Sequence, residues 1–326
     1  MVQRRMIGLA LLALAVCGGA AGTTASAQDF PNRPVTLIVT SSPGGALDSM
    51  TRIVADSLTK ELGQPVVVEN QPGAIGSIAA NKVVRATPDG YTLLATSSSA
   101  IALAPHRMKS PPYDPFTDLA PVSEMGEVPF VLVARPGLHI KTLKDFIAAA
   151  KQKPDDMTYA SAGLASPHHL AMEQLLNSAD IRVRHIPYKT GPLGFTGLLG
   201  DQVDVMMIAP GTTIKQVQAG KLLALGVSAK EPLESYPGVP PIGTLVPGYE
   251  SVTWFGVFAP VATSAAIIDK LSQAINAVIR TPTVQAKMKL LDVEPRPSTP
   301  AELKAVARAD FEVQGKLLKK LGIEPQ

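Results

Sequence analysis

Cysteine is almost absent. The chain of 326 residues carries one, Cys17, so no intrachain disulfide can close and no paired-thiol metal site or redox motif can form. Charge is sparse as well. Charged residues make up 17% of the chain, 30 basic against 27 acidic, with no run of one sign that would mark a nucleic-acid or anionic-membrane surface. The histidines His106, His139, His168, His169 and His185 fall at no zinc-ligand spacing, and neither a metal nor a cofactor is expected. Beyond the N-terminal stretch no apolar run reaches the roughly 18 residues that would span a bilayer. Apolar residues, by contrast, are plentiful at 46%. A packed core is therefore expected rather than disorder, and the length admits two domains or one large one.

The first 27 residues read as a secretory signal peptide. Arg4 and Arg5 form a basic start, residues 6–16 an apolar run, and Ala25-Ser26-Ala27 a small-x-small cleavage site. Removing them also removes Cys17 and leaves 28 basic against 27 acidic residues. Val16 is a poor residue to precede a lipidated cysteine, so export to the periplasm without an anchor is the expectation.

The remaining chain is organised around residues 40–52. Val35-Thr-Leu-Ile-Val39 reads as a buried strand, and Met50, Ile53, Val54, Leu58 and Leu62 fall on one face of a helix. Between them lie Ser41, Ser42, Pro43, Gly44, Gly45, Ala46 and Leu47, with Asp48 near the helix start. Glycines let backbone approach a ligand, and the first N–H groups of a helix are unpaired donors in a positive field. A carboxylate is the natural guest, although an ordinary strand–turn–helix link would look the same. Asp48 either caps the helix and pairs with Arg52 four residues on, or meets a ligand hydroxyl or amine.

The same grammar recurs. Strands are expected at 65–69, 91–96, 128–134, 157–161, 182–186, 203–208, 222–227 and 252–259, with helices between several of them and helical segments at 265–280, 284–291 and 300–321. Residues 105–121, with five prolines, read as irregular. Recurrent strand–helix units argue for parallel α/β sheets. Ser97 and Ser98 follow a strand and face either a crevice or a helix start. Ser161, Ala162, Gly163 and Ser166 form a second strand–turn–helix link about 120 residues after the first, with Pro167 suited to the first helical turn. Two such turns facing each other would make a pocket between domains. His169 either packs beneath its turn or touches ligand. Thr190 and Asp204 are further candidates, the latter also open to a purely structural pairing.

Several motifs in order then carry a family resemblance: Arg33-Pro34, Pro43-Gly-Gly45 with Asp48 and Arg52, Leu62-Gly-Gln-Pro-Val-Val-Val-Glu-Asn70, Pro72-Gly-Ala74 and Pro88-Asp-Gly-Tyr-Thr-Leu93 in the first third. Further on come Tyr113-Asp-Pro115, Tyr159-Ala-Ser-Ala-Gly163, Pro187-Tyr-Lys189, Gln202-Val-Asp204 and Trp254-Phe-Gly256. In these the sequence resembles the periplasmic receptors of tripartite tricarboxylate transporters, the Bug family, over nearly its whole length after the leader. The resemblance implies a two-domain α/β periplasmic binding protein fold of type II, with two crossing hinge strands and a central ligand cleft. It implies that the 41–48 and 161–166 turns hold a carboxylate, partly through water, and that membrane subunits of a transporter receive it. Ser42 and Leu47 stand where the family usually has an aromatic residue and a hydroxyl, so an acid with an apolar body is plausible and the family's ligand is not carried over.

The expected domains are residues 28–127 with 251–326, and residues 128–250, in a monomer. Two other classes stay open, a ligand sensor for a membrane kinase and a hydrolase on the same fold. The second lacks a Gly-x-Ser-x-Gly elbow and any identifiable triad, so no enzyme is expected.

Overall fold

The computed structural model describes residues 30–325; the expected leader lies outside them. Six strands form one sheet: β1 (Val35–Val39), β2 (Val66–Asn70), β3 (Thr92–Ser97), β4 (Leu119–Pro129), β10 (Val252–Pro260) and β11 (Glu294–Pro295). Five form a second: β5 (Val131–Ala134), β6 (Thr158–Ser161), β7 (Arg184–Pro187), β8 (Val205–Ile208) and β9 (Leu223–Val227). Their orders are β11-β4-β10-β3-β1-β2 and β7-β6-β8-β5-β9. In each sheet three strands run parallel, β1 between β2 and β3, and β6 between β7 and β8.

Parallel neighbours need crossovers. These are α1 (Ala46–Leu62) and α2 (Ser77–Val84) in the first sheet, and α5 (Pro167–Ala179) and α6 (Gly191–Leu199) in the second. The others are α3 (Ala104–Arg107), α4 (Leu143–Gln152), α7 (Pro210–Gln218), α8 (Ala265–Ile279), α9 (Pro282–Lys289) and α10 (Pro300–Lys320). Helix α1 forms where Met50, Val54 and Leu58 bury one stripe, and it ends at Gly63, whose φ of 68° a side chain would resist. Helix α10 is continuous to Lys320, started by Pro300 and a Thr299–Glu302 capping box.

The chain passes between the sheets twice. The single strand expected over 128–134 is instead the end of β4 and all of β5, on either side of Phe130. Strand β4 begins inside the stretch expected to be irregular and pairs with β10 along its length. On the return path Ser228, fully buried, fastens the two crossings together. Its N–H donates to Phe130 O at 2.8 Å and its carbonyl accepts from Ser251 N at 3.1 Å. Its hydroxyl accepts from Phe130 N at 2.7 Å and donates to Ser251 O.

Strand β4 also carries a bulge. Gly126 lies opposite Phe255 but Glu124 lies opposite Gly256, leaving Met125 extra. Residues three apart on a regular strand face opposite ways; one extra residue turns Glu124 and Glu127 to the same side.

Candidate functional site

A parallel strand leads at its carboxyl end into a helix N-terminus, so the carboxyl edge of each sheet collects helix starts. On the first sheet these are α1 after β1, α2 after β2, and after β3 a π-helical turn, Ser99–Leu103. On the second they are α5, α6 and α7 after β6, β7 and β8. The two edges meet where Leu103 packs with Ala165 and Leu170. Ser98 and Ser99 there share a small cavity wall with Pro167 and Leu170.

In the first turn Thr40 and Thr96 touch through their hydroxyls at 3.2 Å, which sets the ends of β1 and β3 side by side. Gly76, at φ +88°, closes against them; a Cβ there would lie 2.8 Å from Ala100 Cβ and 3.0 Å from Thr40 Cβ. Residues 42–46 are exposed, and Gly45 caps α1 without any side-chain hydrogen bond. The Ser41 hydroxyl is buried and, among the described residues, has no partner. Ser97 and Ser98 are half-buried at the end of β3. Leu47 is buried behind the turn.

Asp48 is the anchor of this loop. Its Oδ2 accepts from Gly44 N at 2.8 Å, its Oδ1 from Asn70 Nδ2 at 2.7 Å, and Arg52 closes on both oxygens at 3.1 and 3.2 Å from Nε. Asn70 reaches on to Ser41 O at 3.0 Å. Burial alone would raise the Asp48 pKa, but the hydrogen bonds from Arg52, Gly44 and Asn70 together with the Arg52 charge outweigh it and hold the carboxyl below its ordinary value. The carboxylate is thus occupied by protein donors. It leaves the first N–H groups of α1 free, and its own charge is balanced by Arg52.

The second turn is built on buried polar groups. Ser166 caps α5, accepting from His169 N at 3.3 Å. His169 packs beneath the turn, where its Nδ1 accepts from Ala165 N at 3.2 Å, so the proton sits on Nε2. Ala165 holds a φ of 58°, in the left-handed region. Ser161 is fully buried and contacts His185 Nε2 at 2.7 Å. It also accepts from Gly163 N at 3.0 Å and donates to Gly163 O at 3.1 Å. With Nε2 of His185 protonated, Oγ receives two donors and spends its own proton on Gly163, which satisfies the hydroxyl. Ala162 and Gly163 remain half-buried.

Thr190 caps α6, accepting from Leu193 N at 3.4 Å. Asp204 is not brought to this edge. It precedes β8, and its oxygens accept from Arg135 Nε at 2.8 Å and from Thr158 N at 2.7 Å, at the amino ends of β6 and β8.

A model of the tripartite tricarboxylate transporter family receptor matches residues 50–323. The chain belongs to this family. Protein BugT of Bordetella pertussis is 34% identical over 294 residues, which cover 90% of this chain and 90% of that one. Among solved structures, an R. palustris protein with adipate is 28% identical, covers 91% of this chain and 100% of that chain, and superposes with a TM-score of 0.71. MatC from Rhodopseudomonas palustris with bound malate is also 28% identical, over 89% of this chain and 100% of that chain, with a TM-score of 0.67. The receptor therefore has the α/β periplasmic binding protein fold expected from its motifs, built on two sheets.

Sequence reasoning missed two partners in this receptor, His185 for Ser161 and Asn70 for Asp48. Asn70 ends a quoted motif and closes β2, which pairs with β1; that position was the available signal. His185 lies opposite Tyr159 in the β6–β7 register, two residues before Ser161 and on the same face. Its ring stacks on Tyr159 at 4.7 Å and lies 4.2 Å from His169. Desolvation, and for His169 also the neighbouring His185, push both imidazoles down to about 4. The unfolded chain then binds more protons than the folded one between about pH 6.5 and pH 4, so stability is full above that window and falls as pH drops through it. A urea-midpoint series from pH 7.5 to 4 should show this decline, and His185→Gln should flatten it; a profile unaltered by His185→Gln would assign the decline elsewhere.

Proposed function

We propose that this receptor captures a small organic carboxylate in the periplasm and delivers it to the membrane subunits of a tripartite tricarboxylate-type transporter. The reading is supported by the meeting of the two carboxyl edges, where Leu103 packs with Ala165 and Leu170, with a strand–turn–helix start on each. On one side stand the free N–H groups of Gly45, Ala46 and Leu47, the unpartnered Ser41 hydroxyl, and Ser42, Ser97 and Ser98. On the other is the 161–166 turn, offering the backbone of Ala162 and Gly163. Backbone donors at helix starts recognise an anion without a basic side chain. Water between them would let one frame hold acids of different length. The relatives with adipate and malate support a dicarboxylate-sized guest.

The domains in this reading are residues 28–127 with 251–326, and residues 128–250, closing about the two crossings when ligand touches both. Binding without turnover agrees with Ser161, whose oxygen is sealed and already hydrogen-bonded. The test is a melting screen of purified protein, refolded after removal of bound ligand, against mono-, di- and tricarboxylic and aromatic acids. A ligand at 100 times its dissociation constant should stabilise by about 2.7 kcal/mol. No shift with any acid would overturn the carboxylate reading.

A further inference from the structure

A second cavity adjoins the small one at the helix starts, sharing Ser251, Val252, Asp310 and Gln314 with it. It has a volume of about 290 Å³ and lies between β4, β10 and α10, with Gln174 of α5 and residues 248–252 closing it. That is about twice the ~150 Å³ that admits a benzene ring in a protein core. Its polar wall is acidic: Glu124, Glu127, Glu250 and Asp310. Glu127 is matched by Arg296, Nε to Oε1 at 2.9 Å. Asp310 accepts from Trp254 Nε1 at 2.9 Å and from Gln314 Nε2 at 3.0 Å.

Glu124 is different. It is only 6% exposed, lines the cavity, and among the described residues its carboxylate has no hydrogen-bond or ion-pair partner. The β4 bulge is what aims it there. Its backbone is fully tied, with its N–H donating to Ser298 Oγ at 2.9 Å and its carbonyl accepting from Ser123 Oγ at 2.8 Å, so the side chain is held in place with nothing to bind. A buried acid without a partner is costly. The remaining wall is apolar, from Trp254, Val306 and Val313. Among the described residues no group of three acids, histidines or cysteines is placed to ligate a metal ion, which favours a diffuse cation with an organic body.

We propose that this cavity is a second ligand site, for a small alkylammonium ion whose charge pairs with Glu124 and whose chain lies against Trp254, Val306 and Val313. Four acidic side chains stand against the single guanidinium of Arg296, and their field grows as the carboxyls that burial holds up ionise. Burial, and then repulsion from Glu127, push the Glu124 carboxyl up to about 8 against the pull of Arg296. Since ammonium favours the ionised acid, affinity should rise from pH 6.5 to pH 9.

The experiment titrates purified protein with propyl-, butyl- and hexylammonium chloride, by calorimetry and by melting, against KCl at equal ionic strength. Saturable stabilisation by an alkylammonium ion and not by KCl is expected. Glu124→Gln should weaken it at least tenfold, and Val313→Trp, which fills the half-exposed mouth, should abolish it. Both variants should keep any response to carboxylic acids, so failure here is distinguishable from failure of the carboxylate site. No saturable effect beyond KCl, or binding that survives both substitutions, would overturn the proposal.

Discussion

Replacing Asp48 with alanine is expected to cost about 3 kcal/mol of stability and to weaken carboxylate binding roughly a hundredfold. The stability loss follows from what the carboxylate holds. It satisfies the Gly44 N–H, the Asn70 amide and the Arg52 guanidinium at once. Without it two neutral donors lose their acceptor and Arg52 loses its counter-charge. Breaking a fully buried pair costs about 3–5 kcal/mol, but the Arg52 side chain is 48% exposed, and water takes over part of its solvation. The binding loss follows from the loop. Gly44 at φ +86° and Asn70 on Ser41 O are what keep residues 41–45 in place, and free donors recognise an anion only when they are held still. Asp48→Asn separates charge from shape, since it keeps the volume but offers an N–H where Gly44 or Asn70 already presents one. Urea denaturation and calorimetry with an acid found in the melting screen read both effects. A change under about 0.5 kcal/mol, within the range of ordinary surface substitutions, would remove Asp48 from the frame of the site.

Trp254→Ala should destabilise by about 4 kcal/mol. Trp254 is the largest fully buried side chain. It packs in one cluster with Ile101, Leu303 and Ala307, and its ring lies 6.4 Å from that of Phe258. Its removal opens a void next to an existing cavity and takes one of two donors from Asp310, whose pKa burial already raises. Trp254→Phe should lie between, keeping much of the packing and losing the hydrogen bond. As this is the only tryptophan in the chain, far-ultraviolet circular dichroism rather than fluorescence must follow the unfolding. Equal stability of the alanine variant and the parent would contradict the packing described here.

The elements that could be read from sequence are those whose local pattern and tertiary fate agree. Strand β1 is a β-branched run buried on both faces, and α1 shows one apolar stripe between glycines. Strand β4 could not be read this way. Leu-Ala-Pro-Val-Ser-Glu-Met-Gly-Glu-Val-Pro contains two acids, two prolines and a glycine, a composition that argues against a central strand. Yet it lies between β10 and β11, because a bulge and Arg296 accommodate the acids. Helix α6 was half hidden for a related reason. Its glycines weaken helix propensity, but Gly194 lies against Ala160 and Ser161 O, and Gly197 against the Tyr188 ring, where a side chain would hold the helix off the sheet.

At the site, the two turns were legible because glycine, serine and proline state their local conformations. The partners that fix those turns were not, since they come from other strands: Asn70 from β2 and His185 from β7. Asp204 could have been placed from topology alone. A residue that precedes a strand in a parallel sheet belongs to the amino edge, away from the helix starts, and the Arg135 and Thr158 contacts are found there.

The Ser228 fastening has a mechanical consequence. Two separate connecting strands could in principle twist by different amounts, giving the halves of a receptor many relative poses. Here four hydrogen bonds through one residue tie Phe130 to Ser251, so both connections must turn as one torsion bar. In the proposed reading the two halves would then share a single degree of freedom, and acids of different length would be fitted by water rather than by a different angle for each.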